Sequence, residues 1–378
     1  MGFVVFCDCK SSSHEGERIG SDAPVMPQES DFDFNNLPEE KITEYSEEVK
    51  AAYEKLLVRR GFNGAVLVAK NGVVLLEDYK GITNPRTKEP ITAETSFHVA
   101  SVSKTFTGTT IMKLAEENRL SLDNTIQQYF PRMPYKGVTI RMLLCHRSGL
   151  PNYLYFMEKV GRPTARFTNE DVINYMIRSK PSASYLPNKR FQYCNTNYVL
   201  LASIIERVTG MSFPQYMRDS VFMPLGLEHT YVFSSRDVAS YVPTYAGNWR
   251  AYPMDKMDCT YGDKNIYSTV RDLFEWDKAL YMENFVTKQT LEKAFTPTSF
   301  ETRSKHNYGL GWRLLIDKSD TLVYHNGKWH GTNAAFARFI QDTTTVIVLG
   351  NKYNTAIYKS KHIASAITGN KDEDEDSE

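Results

Sequence analysis

The chain has 378 residues, of which 24% are charged and 41% hydrophobic, a composition typical of globular proteins. Lys and Arg together number 45, as do Asp and Glu, and the zero formal charge argues against nucleic acid as the main partner. No apolar run approaches the ~20 residues that a membrane-spanning helix needs. The length exceeds that of a usual single domain, so we expect two lobes.

The first residues resemble the end of a bacterial lipoprotein signal. An apolar stretch, Phe3–Cys7, is followed by a polar segment from Lys10 to Glu17. The stretch is shorter than the ~7–15 apolar residues of a signal peptide and no basic region precedes it, so an accidental resemblance is the alternative. We interpret it as a truncated lipoprotein signal. It predicts a periplasmic or cell-envelope protein with a lipid anchor, while a cytoplasmic location stays open.

The cysteines indicate neither a metal centre nor a disulfide framework. No two of them form a Cys-x-x-Cys pair, and their spacing matches no set of metal ligands. They are Cys7, Cys9, Cys145, Cys194 and Cys259. An odd number at scattered positions is typical of buried free thiols, and we predict no metal and no cofactor.

Strand signals lie near both ends of the chain. Residues 8–38 are polar and contain several prolines, so we interpret 1–38 as an N-terminal tether. A helix over 41–59 ends at Gly61, and Asn71-Gly72 between two apolar runs predicts a β-hairpin over 64–76. Further strands are predicted over 308–315, 322–325, 334–340 and 344–349, before a closing helix at 353–367 and an acidic tail at 369–378.

The middle of the chain is mainly helical by its apolar periodicity. Helical segments are predicted over 105–120, 169–178, 198–208, 213–222 and 270–280. We therefore expect one domain over about 39–368, in which both ends build a single sheet. The α/β lobe would comprise about 39–115 and 300–368, and a helical lobe would occupy about 116–299.

Ser101 and Lys104 are the first candidates for chemistry. Ser101 precedes the predicted helix and Lys104 follows one turn later, on the same face. A serine hydroxyl needs an adjacent base to act as a nucleophile, and a helix start favours a developing oxyanion. Ser-x-x-Lys alone is weak evidence, because an N-cap serine followed by a surface lysine gives the same pattern.

Two later stretches could meet this serine. Tyr193 and Asn195 are two residues apart, so in an extended segment their side chains point the same way, although a core tyrosine beside a helix cap would look alike. His325-Asn326-Gly327 ends a predicted strand, where glycine permits close approach of a substrate and free N–H groups could serve an oxyanion. The alternative there is an ordinary loop between two strands.

Together, Ser101–Lys104, Tyr193–Asn195 and His325–Gly327 resemble the three motifs of the class C β-lactamase family, in the same order and at similar separations. That family includes D,D-peptidases, D-amino-acid peptidases of the S12 type and esterases. Supporting stretches are 146–150, 195–198, 208–210, 224–226, 266–269 and 308–312. The resemblance covers roughly residues 45–367. It implies an α+β fold with a mainly antiparallel five-stranded sheet, flanking helices and an inserted helical lobe.

The resemblance also implies roles. Ser101 would be the acylated nucleophile, and Lys104 would accept its proton or relay it to Tyr193, which would protonate the leaving group and activate water. Asn195 would bond Lys104 and the substrate amide. The backbone N–H groups of Ser101 and Lys328 would form the oxyanion hole.

The third motif implies part of the substrate site, formed by His325, Asn326, Gly327 and Lys328. His325 stands where class C β-lactamases carry lysine, and a mostly neutral histidine serves a substrate carboxylate less well. This favours peptidase or esterase chemistry over β-lactamase activity. Cys194, Pro187-Asn188 and Lys264-Asn265 also depart from the family pattern. We consider Tyr153, Tyr155, Phe156 and Trp329 as candidate walls of the cleft.

The sequence therefore predicts a serine hydrolase that forms an acyl-enzyme on amide or ester bonds of small peptide, D-amino-acid or β-lactam-like substrates. A carboxylesterase of the same fold is the near alternative. A penicillin-binding or sensor module without turnover is the alternative from another class. Small molecules or peptides are the expected partners.

Overall fold

The computed structural model describes residues 26, 36–161, 166–316 and 321–368. The predicted acidic tail, and the predicted tether apart from residues 26 and 36–38, lie outside the described residues. The helices are α1 (Glu39–Leu56), α2 (Ser103–Glu116), α3 (Ile140–Leu144), α4 (Tyr153–Glu158), α5 (Asn169–Ser179), α6 (Asn195–Thr209), α7 (Phe213–Met217), α8 (Val270–Tyr281), α9 (Lys288–Ala294) and α10 (Lys361–Thr368). The strands are β1 (Gly64–Lys70), β2 (Val73–Lys80), β3 (Phe97–His98), β4 (Tyr231–Val232), β5 (Ile266–Ser268), β6 (His306–Tyr308), β7 (Arg313–Ile316), β8 (Thr321–Trp329), β9 (Thr332–Phe339) and β10 (Thr344–Gly350).

Strands from both ends of the chain form one antiparallel sheet, as the sequence predicts. Its order is β2-β1-β10-β9-β8-β7-β6, so β10 from the C-terminal part pairs with β1 from the N-terminal part. Helices flank this sheet, which confirms the α+β fold. The pairing of β1 with β10 therefore joins the two ends of the chain on either side of its helical middle.

The sheet has seven strands in the described part of the chain, against the five implied by the family resemblance. One reason is that the predicted strand over 308–315 is broken into β6 and β7. Gly309 and Gly311 lie between them, and Gly311 has a φ of +100°. A Cβ at Gly309 would lie 2.0 Å from the carbonyl oxygen of Ala294, and one at Gly311 would lie 3.2 Å from Cα of Gly108. The chain leaves the sheet here because helices α2 and α9 approach its backbone.

Each face of the sheet packs against a different set of helices. Along β1, Ala65 and Leu67 belong to a core shared with α2 and α8, whereas Val66 and Val68 belong to a core shared with α1 and α10. This alternation is the period of two expected of a strand buried on both faces. The sheet therefore forms the middle layer of a three-layer arrangement.

Glycine and asparagine end several elements where the sequence predicts it. Asn71 and Gly72 have φ values of +49° and +74°, as a two-residue hairpin turn with two left-handed positions requires. Gly61 closes the turn after α1, and Gly210 caps α6 in the left-handed conformation. The predicted closing helix differs, because Asn354 caps a separate 3-10 turn, Thr355–Lys359, before α10.

A small second sheet, β3-β5-β4, lies beside the start of α2 and was not predicted. The N–H of Val99 donates to the carbonyl of Ile266 at 2.9 Å, and the N–H of Ile266 donates to Oγ of Ser103 at 3.1 Å. These bonds dock β5 against the turn that carries Ser101. Across the described ranges, no helix combines the length and the apolar character that a membrane crossing requires.

Candidate active site

Ser101 lies in a 3-10 turn, Ala100–Val102, between β3 and α2. Ala100 has a φ of +49°, a left-handed conformation that costs a residue with a Cβ about 1–3 kcal/mol. Its N–H donates a 3.1 Å hydrogen bond to Nδ1 of His98. The hydrogen bond to His98 thus fixes the turn, in which Ser101 is partly exposed at the beginning of the helix.

His98 can hold this turn only as a neutral imidazole. Nδ1 accepts from the N–H of Ala100, so Nε2 carries the proton and donates to Oδ1 of Asn265, 2.9 Å away. Asn265 is itself fixed by its amide, which donates to the carbonyls of Asp258 and Thr260. Burial lowers the pKa of His98 to about 4, which keeps the acceptor nitrogen free of a proton near neutral pH.

Lys104 meets Ser101 as the helical spacing predicts. Its Nζ lies 3.1 Å from Oγ of Ser101 and donates a 2.7 Å hydrogen bond to the backbone carbonyl of Asp263. The side chain is fully buried, with Nζ 5.1 Å from the ring centre of Tyr193 and 5.5 Å from that of Tyr198. The nitrogen is therefore fixed between two aromatic rings, within hydrogen-bond reach of the hydroxyl.

Tyr193 is brought to the same place from the segment before α6. Its hydroxyl is buried and has no hydrogen-bond partner among the described residues. Such a hydroxyl is uncommon, because burying an unpaired polar group costs about 1–3 kcal/mol. The ring lies 5.1 Å from Nζ of Lys104 and 5.4 Å from the guanidinium carbon of Arg313. Two cations therefore adjoin this phenol.

Asn195 is the first residue of α6, two residues beyond Tyr193, and its side chain is partly exposed. The hydrogen bond to Lys104 that the resemblance implies is not formed within the described residues. The carbonyl of Asp263 accepts from the lysine instead. The amide of Asn195 is therefore not engaged by the lysine in this state.

His325 is fully buried on β8 and is neutral. Its Nδ1 lies 2.8 Å from the carbonyl of Asn326, so this nitrogen must carry the proton, and Nε2 accepts from the hydroxyl of Tyr308 at 3.1 Å. Burial lowers the pKa of His325 well below its ordinary value, and the positive charges of Arg313 and Lys104 lower it further. The third motif thus presents no cation at its first position.

Arg313 brings a positive charge to this part of the cleft from the neighbouring strand. It is the first residue of β7 and pairs with Tyr324 of β8. Its guanidinium carbon lies 5.4 Å from the ring centre of Tyr193, and its charge acts on the imidazole of His325. Arg313 therefore places a positive charge beside Tyr193 and His325, and sequence reasoning missed this residue.

The end of β8 forms an open edge beside the serine. β7 pairs with β8 only as far as Tyr324, while β8 continues to Trp329. The two-residue turn after Trp329 makes it a hydrogen-bonded partner of Thr332, so the N–H of Lys328 points to the opposite side of the strand, towards the open edge. This is the direction that the predicted oxyanion hole requires, and the side chain of Lys328 is exposed.

Gly327 allows this edge to approach the serine. A Cβ at Gly327 would lie 2.3 Å from the carbonyl oxygen of Val99 and 3.1 Å from Cβ of Ala100. A side chain would therefore push β8 away from the turn that carries Ser101. Asn326, between Gly327 and His325, is partly exposed. The structure thus brings the three motifs together around Ser101.

Lys264 forms a second buried cation near Lys104. Its Nζ lies 2.7 Å from the hydroxyl of Tyr153, 2.5 Å from Oγ1 of Thr260 and 3.9 Å from Oδ1 of Asp263. Tyr153 also donates to Oδ2 of Asp263 at 3.0 Å. Burial lowers the pKa of Lys264 despite the neighbouring carboxylates. The network fixes the segment whose carbonyl holds Lys104.

The sequence had given signals for some of these residues. Lys264 departs from the family pattern, but the sequence does not mark it as a buried cation, and Arg313 is a charge at the start of an otherwise apolar strand.

Two of the candidate walls are wrong, because Tyr153 and Phe156 are buried. Tyr155 is 74% exposed, and Trp329 is partly exposed with its ring 4.8 Å from Nζ of Lys264.

Comparison with known proteins identifies the family to which the chain is similar. A family model described as Beta-lactamase matches residues 49–367. Penicillin-binding protein 4* of Bacillus subtilis (strain 168) is 32% identical over 337 residues, which cover 84% of this chain and 74% of that protein. D-aminopeptidase of Brucella anthropi is 24% identical over 274 residues, covering 72% of this chain and 52% of that protein.

A solved structure gives the same answer for the fold. The octameric penicillin-binding protein homologue from Pyrococcus abyssi superimposes with a TM-score of 0.74 at 26% identity, covering 85% of this chain and 77% of that one. The family model spans most of this chain. The chain therefore belongs to the beta-lactamase family.

Proposed function

We propose that this protein is a serine hydrolase that forms an acyl-enzyme on Ser101. The observation that carries the proposal is the 3.1 Å contact between Oγ of Ser101 and the buried Nζ of Lys104. A hydroxyl at the start of a helix, next to a fixed nitrogen, meets the requirement of an activated nucleophile. The buried phenol of Tyr193, which lacks a hydrogen-bond partner among the described residues, supplies a second proton carrier at the same place.

In the proposed reaction, Oγ of Ser101 attacks the carbonyl carbon of an amide or ester. Its proton passes to Lys104 in its neutral amine form. Lys104 either keeps this proton or passes it to Tyr193 as that phenol gives its own proton to the leaving group. The N–H groups of Ser101 and Lys328 stabilise the oxyanion. Collapse of the tetrahedral intermediate breaks the bond to the leaving group, which Tyr193 protonates. Water, deprotonated by the same residues, then cleaves the acyl ester and returns the proton to Oγ.

The substrate class follows from the charges of the cleft. A neutral His325, with both ring nitrogens engaged by Asn326 and Tyr308, does not serve a substrate carboxylate as a lysine would. Arg313 lies beside Tyr193 and offers a guanidinium suited to a carboxylate. We propose that the substrates are small peptides or D-amino-acid derivatives with a carboxylate near the scissile bond.

The relatives support this class without fixing the substrate. One is named a penicillin-binding protein and another a D-aminopeptidase, and the second name fits a D-amino-acid substrate. Two alternatives are retained. A carboxylesterase would use the same residues on uncharged esters, and a penicillin-binding sensor would form the adduct without turnover.

The proposal is tested by labelling and by a substrate panel. A fluorophosphonate or penicillin should add one adduct to the intact protein, and Ser101→Ala should abolish it; persistent labelling of the variant would overturn the assignment of the nucleophile. The control is Ser148→Ala, because that buried serine bonds Asn197 and its substitution should leave labelling unchanged.

Multiple turnover of D-Ala-D-Ala peptides or D-amino-acid amides favours the peptidase, whereas turnover of p-nitrophenyl esters alone favours the esterase. An adduct without any turnover favours the sensor.

We also propose a periplasmic or cell-envelope location with a lipid attached at Cys7. The proposal rests on the apolar stretch that precedes Cys7 and on the penicillin-binding relative. Cells that express the gene with its upstream sequence should incorporate labelled palmitate into the protein. Cys7→Ser should abolish the label, and Cys9→Ser is the matched control. Absence of label from the native protein would contradict the anchor.

A further inference from the structure

Three side chains outside the proposed catalytic residues place possible metal-ligand atoms close together. Asp255 and Asp258 come from the loop that follows residue 253, and His330 lies in the turn between β8 and β9. One ligand atom from each residue lies within 4.8 Å of those of the other two. The family resemblance assigns no role to this group, which we name the Asp-Asp-His cluster.

The distances within the cluster are compatible with the ligand spacing of an ion, and the direct contact between His330 and Asp258 is a long hydrogen bond. Nε2 of His330 lies 3.4 Å from Oδ1 of Asp258 and 3.7 Å from Oδ2 of Asp255. Most N–H···O hydrogen bonds span about 2.7–3.2 Å. A tetrahedral ion with bonds of about 2.0–2.1 Å separates its ligand atoms by about 3.3–3.4 Å. The distance from Nε2 of His330 to Oδ1 of Asp258 therefore matches the spacing of two ligand atoms around a tetrahedral zinc ion. The distance to Oδ2 of Asp255 is somewhat longer.

The ligand atoms are already oriented by their neighbours. Oδ2 of Asp258 accepts from the N–H of Asp255 at 2.7 Å, and Oδ1 of Asp255 accepts from the N–H of Met257 at 2.6 Å. The indole of Trp329 donates to Oδ1 of Asp258 at 2.7 Å. Donors of this kind commonly orient ligating carboxylates. The site would thus need little rearrangement to bind an ion.

The imidazole is also held in place. The ring of Tyr252 stacks on His330 at 5.6 Å with an angle of 22° between the ring planes. A cavity of about 20 Å³ beside it is lined by Asp258 and His330, among other residues. That volume exceeds the ~10–15 Å³ that one water-sized particle requires. Two of the three ligand side chains therefore border a space large enough for one ion.

The cluster also brings two acidic side chains close together. One of them, Asp258, is 5% exposed, and Nζ of the nearby Lys264 is engaged by Tyr153 and Thr260. A bound divalent ion would balance the charge of the two carboxylates.

We propose that Asp255, Asp258 and His330 bind a divalent cation, with Zn²⁺ as the best fit for one imidazole nitrogen and two carboxylate oxygens. The ion would join the loop that carries Asp258 to the turn that ends β8. The same loop leads to Asp263, whose carbonyl holds Lys104, and β8 carries the proposed oxyanion edge. The ion would therefore stabilise the wall of the cleft, and it takes no part in acyl transfer.

Metal-stripped full-length protein, titrated with ZnCl₂, tests the proposal without reference to activity. We expect one equivalent of zinc to bind, to change the fluorescence of Trp329 and to raise the thermal unfolding midpoint. His330→Gln should weaken binding at least tenfold. Asp255→Asn should do the same, and it leaves the bond from Trp329 to Asp258 intact. Ser101→Ala should bind zinc like the wild type.

The controls separate this site from other zinc ligands. His229→Gln removes a partly exposed histidine elsewhere, and Cys259→Ser removes the thiol adjacent to Asp258. Both should retain wild-type affinity. Absence of saturable zinc binding in the wild type, equal affinity in His330→Gln, or loss of binding in Cys259→Ser alone would overturn the proposal.

Discussion

Nζ of Lys104 donates to the backbone carbonyl of Asp263 at 2.7 Å, and this bond fixes the nitrogen 3.1 Å from Oγ of Ser101. The carbonyl belongs to a segment 159 residues further along the chain. That segment is anchored by its own side chains, since Asp263 accepts from Tyr153 and Lys264 adjoins both. The position of the proposed base therefore depends on the helical part of the chain as much as on its own helix.

Lys104→Met should lower kcat/KM by about 10²–10⁴-fold, because it removes the nitrogen that takes the proton from Ser101. The rate should be measured with the best substrate of the panel, together with the rate of labelling by fluorophosphonate. Lys113→Met is the matched control on the same helix, since Lys113 pairs with Glu116 and Glu117 at the surface. A variant at Lys104 that acylates at the wild-type rate would contradict its proposed role.

Tyr193→Phe should separate activity from stability. The hydroxyl has no hydrogen-bond partner among the described residues, so its loss should leave the free energy of unfolding unchanged or slightly higher. Activity should fall by about 10²–10⁴-fold, because the phenol is the proposed carrier of the leaving-group proton. Denaturant unfolding and steady-state kinetics measure the two effects.

Tyr198→Phe provides the contrast for that experiment. Its hydroxyl donates to the carbonyl of Leu144 at 2.8 Å in the core. Removal should therefore lower the free energy of unfolding by about 0.5–1.5 kcal/mol, with a smaller effect on the rate. A loss of stability in Tyr193→Phe as large as that in Tyr198→Phe would show that the phenol of Tyr193 has a partner and would weaken its proposed role.

Arg313→Gln should raise KM at least tenfold for a peptide with a free carboxylate and change it little for the matched amide or methyl ester. The reason is that the guanidinium beside Tyr193 is the proposed partner of the substrate carboxylate. Arg147→Gln is a useful control, because Arg147 pairs with Glu301 and Asn188 instead. Equal changes for the charged and uncharged substrates would show that Arg313 acts on the site without binding the carboxylate.

The sequence predicted the elements whose signals are local. The turn at Asn71-Gly72 and the spacing of Ser101 and Lys104 follow from short patterns, and the structure has both. The strand signals at both ends of the chain predicted a single sheet, and the structure adds that β1 pairs with β10. The resemblance to the class C β-lactamase family then predicted that the three motifs act together.

Contacts between distant segments could not be read from such patterns. The bond from Lys104 goes to a backbone carbonyl, which every residue possesses, so no residue type marks Asp263 in advance. The split of β6 from β7 depends on how closely α2 and α9 approach Gly311 and Gly309. His98 lies in an apolar stretch whose pattern indicates no role for it. Its imidazole accepts a hydrogen bond from the N–H of Ala100, and the left-handed conformation of Ala100 is seen only in the structure.

The buried histidines predict how stability depends on pH. His98 is neutral when folded, with its pKa lowered from 6.5 to about 4, whereas the unfolded chain binds a proton near 6.5. Its contribution is therefore fully present above about pH 6.5 and is lost as the pH falls towards 4, a change of about 3 kcal/mol. His146 and His325, whose pKa values are also lowered by burial, should act in the same direction. Thermal unfolding midpoints should thus fall progressively below pH 6.5.

His98→Asn should flatten this dependence between pH 6.5 and 4. The amide oxygen of asparagine can accept from the N–H of Ala100 as Nδ1 does, but it does not titrate. The groups that act on His98 are Asp258, which raises its pKa, and Lys264 and His330, which lower it; the variant leaves all three in place. His229→Asn, at a partly exposed position, should retain the wild-type slope. Identical slopes in His98→Asn and the wild type would show that His98 is not the titrating group.

Since the imidazole of His98 holds the turn before Ser101, acylation by fluorophosphonate should slow over the same pH range in the wild type and less so in His98→Asn.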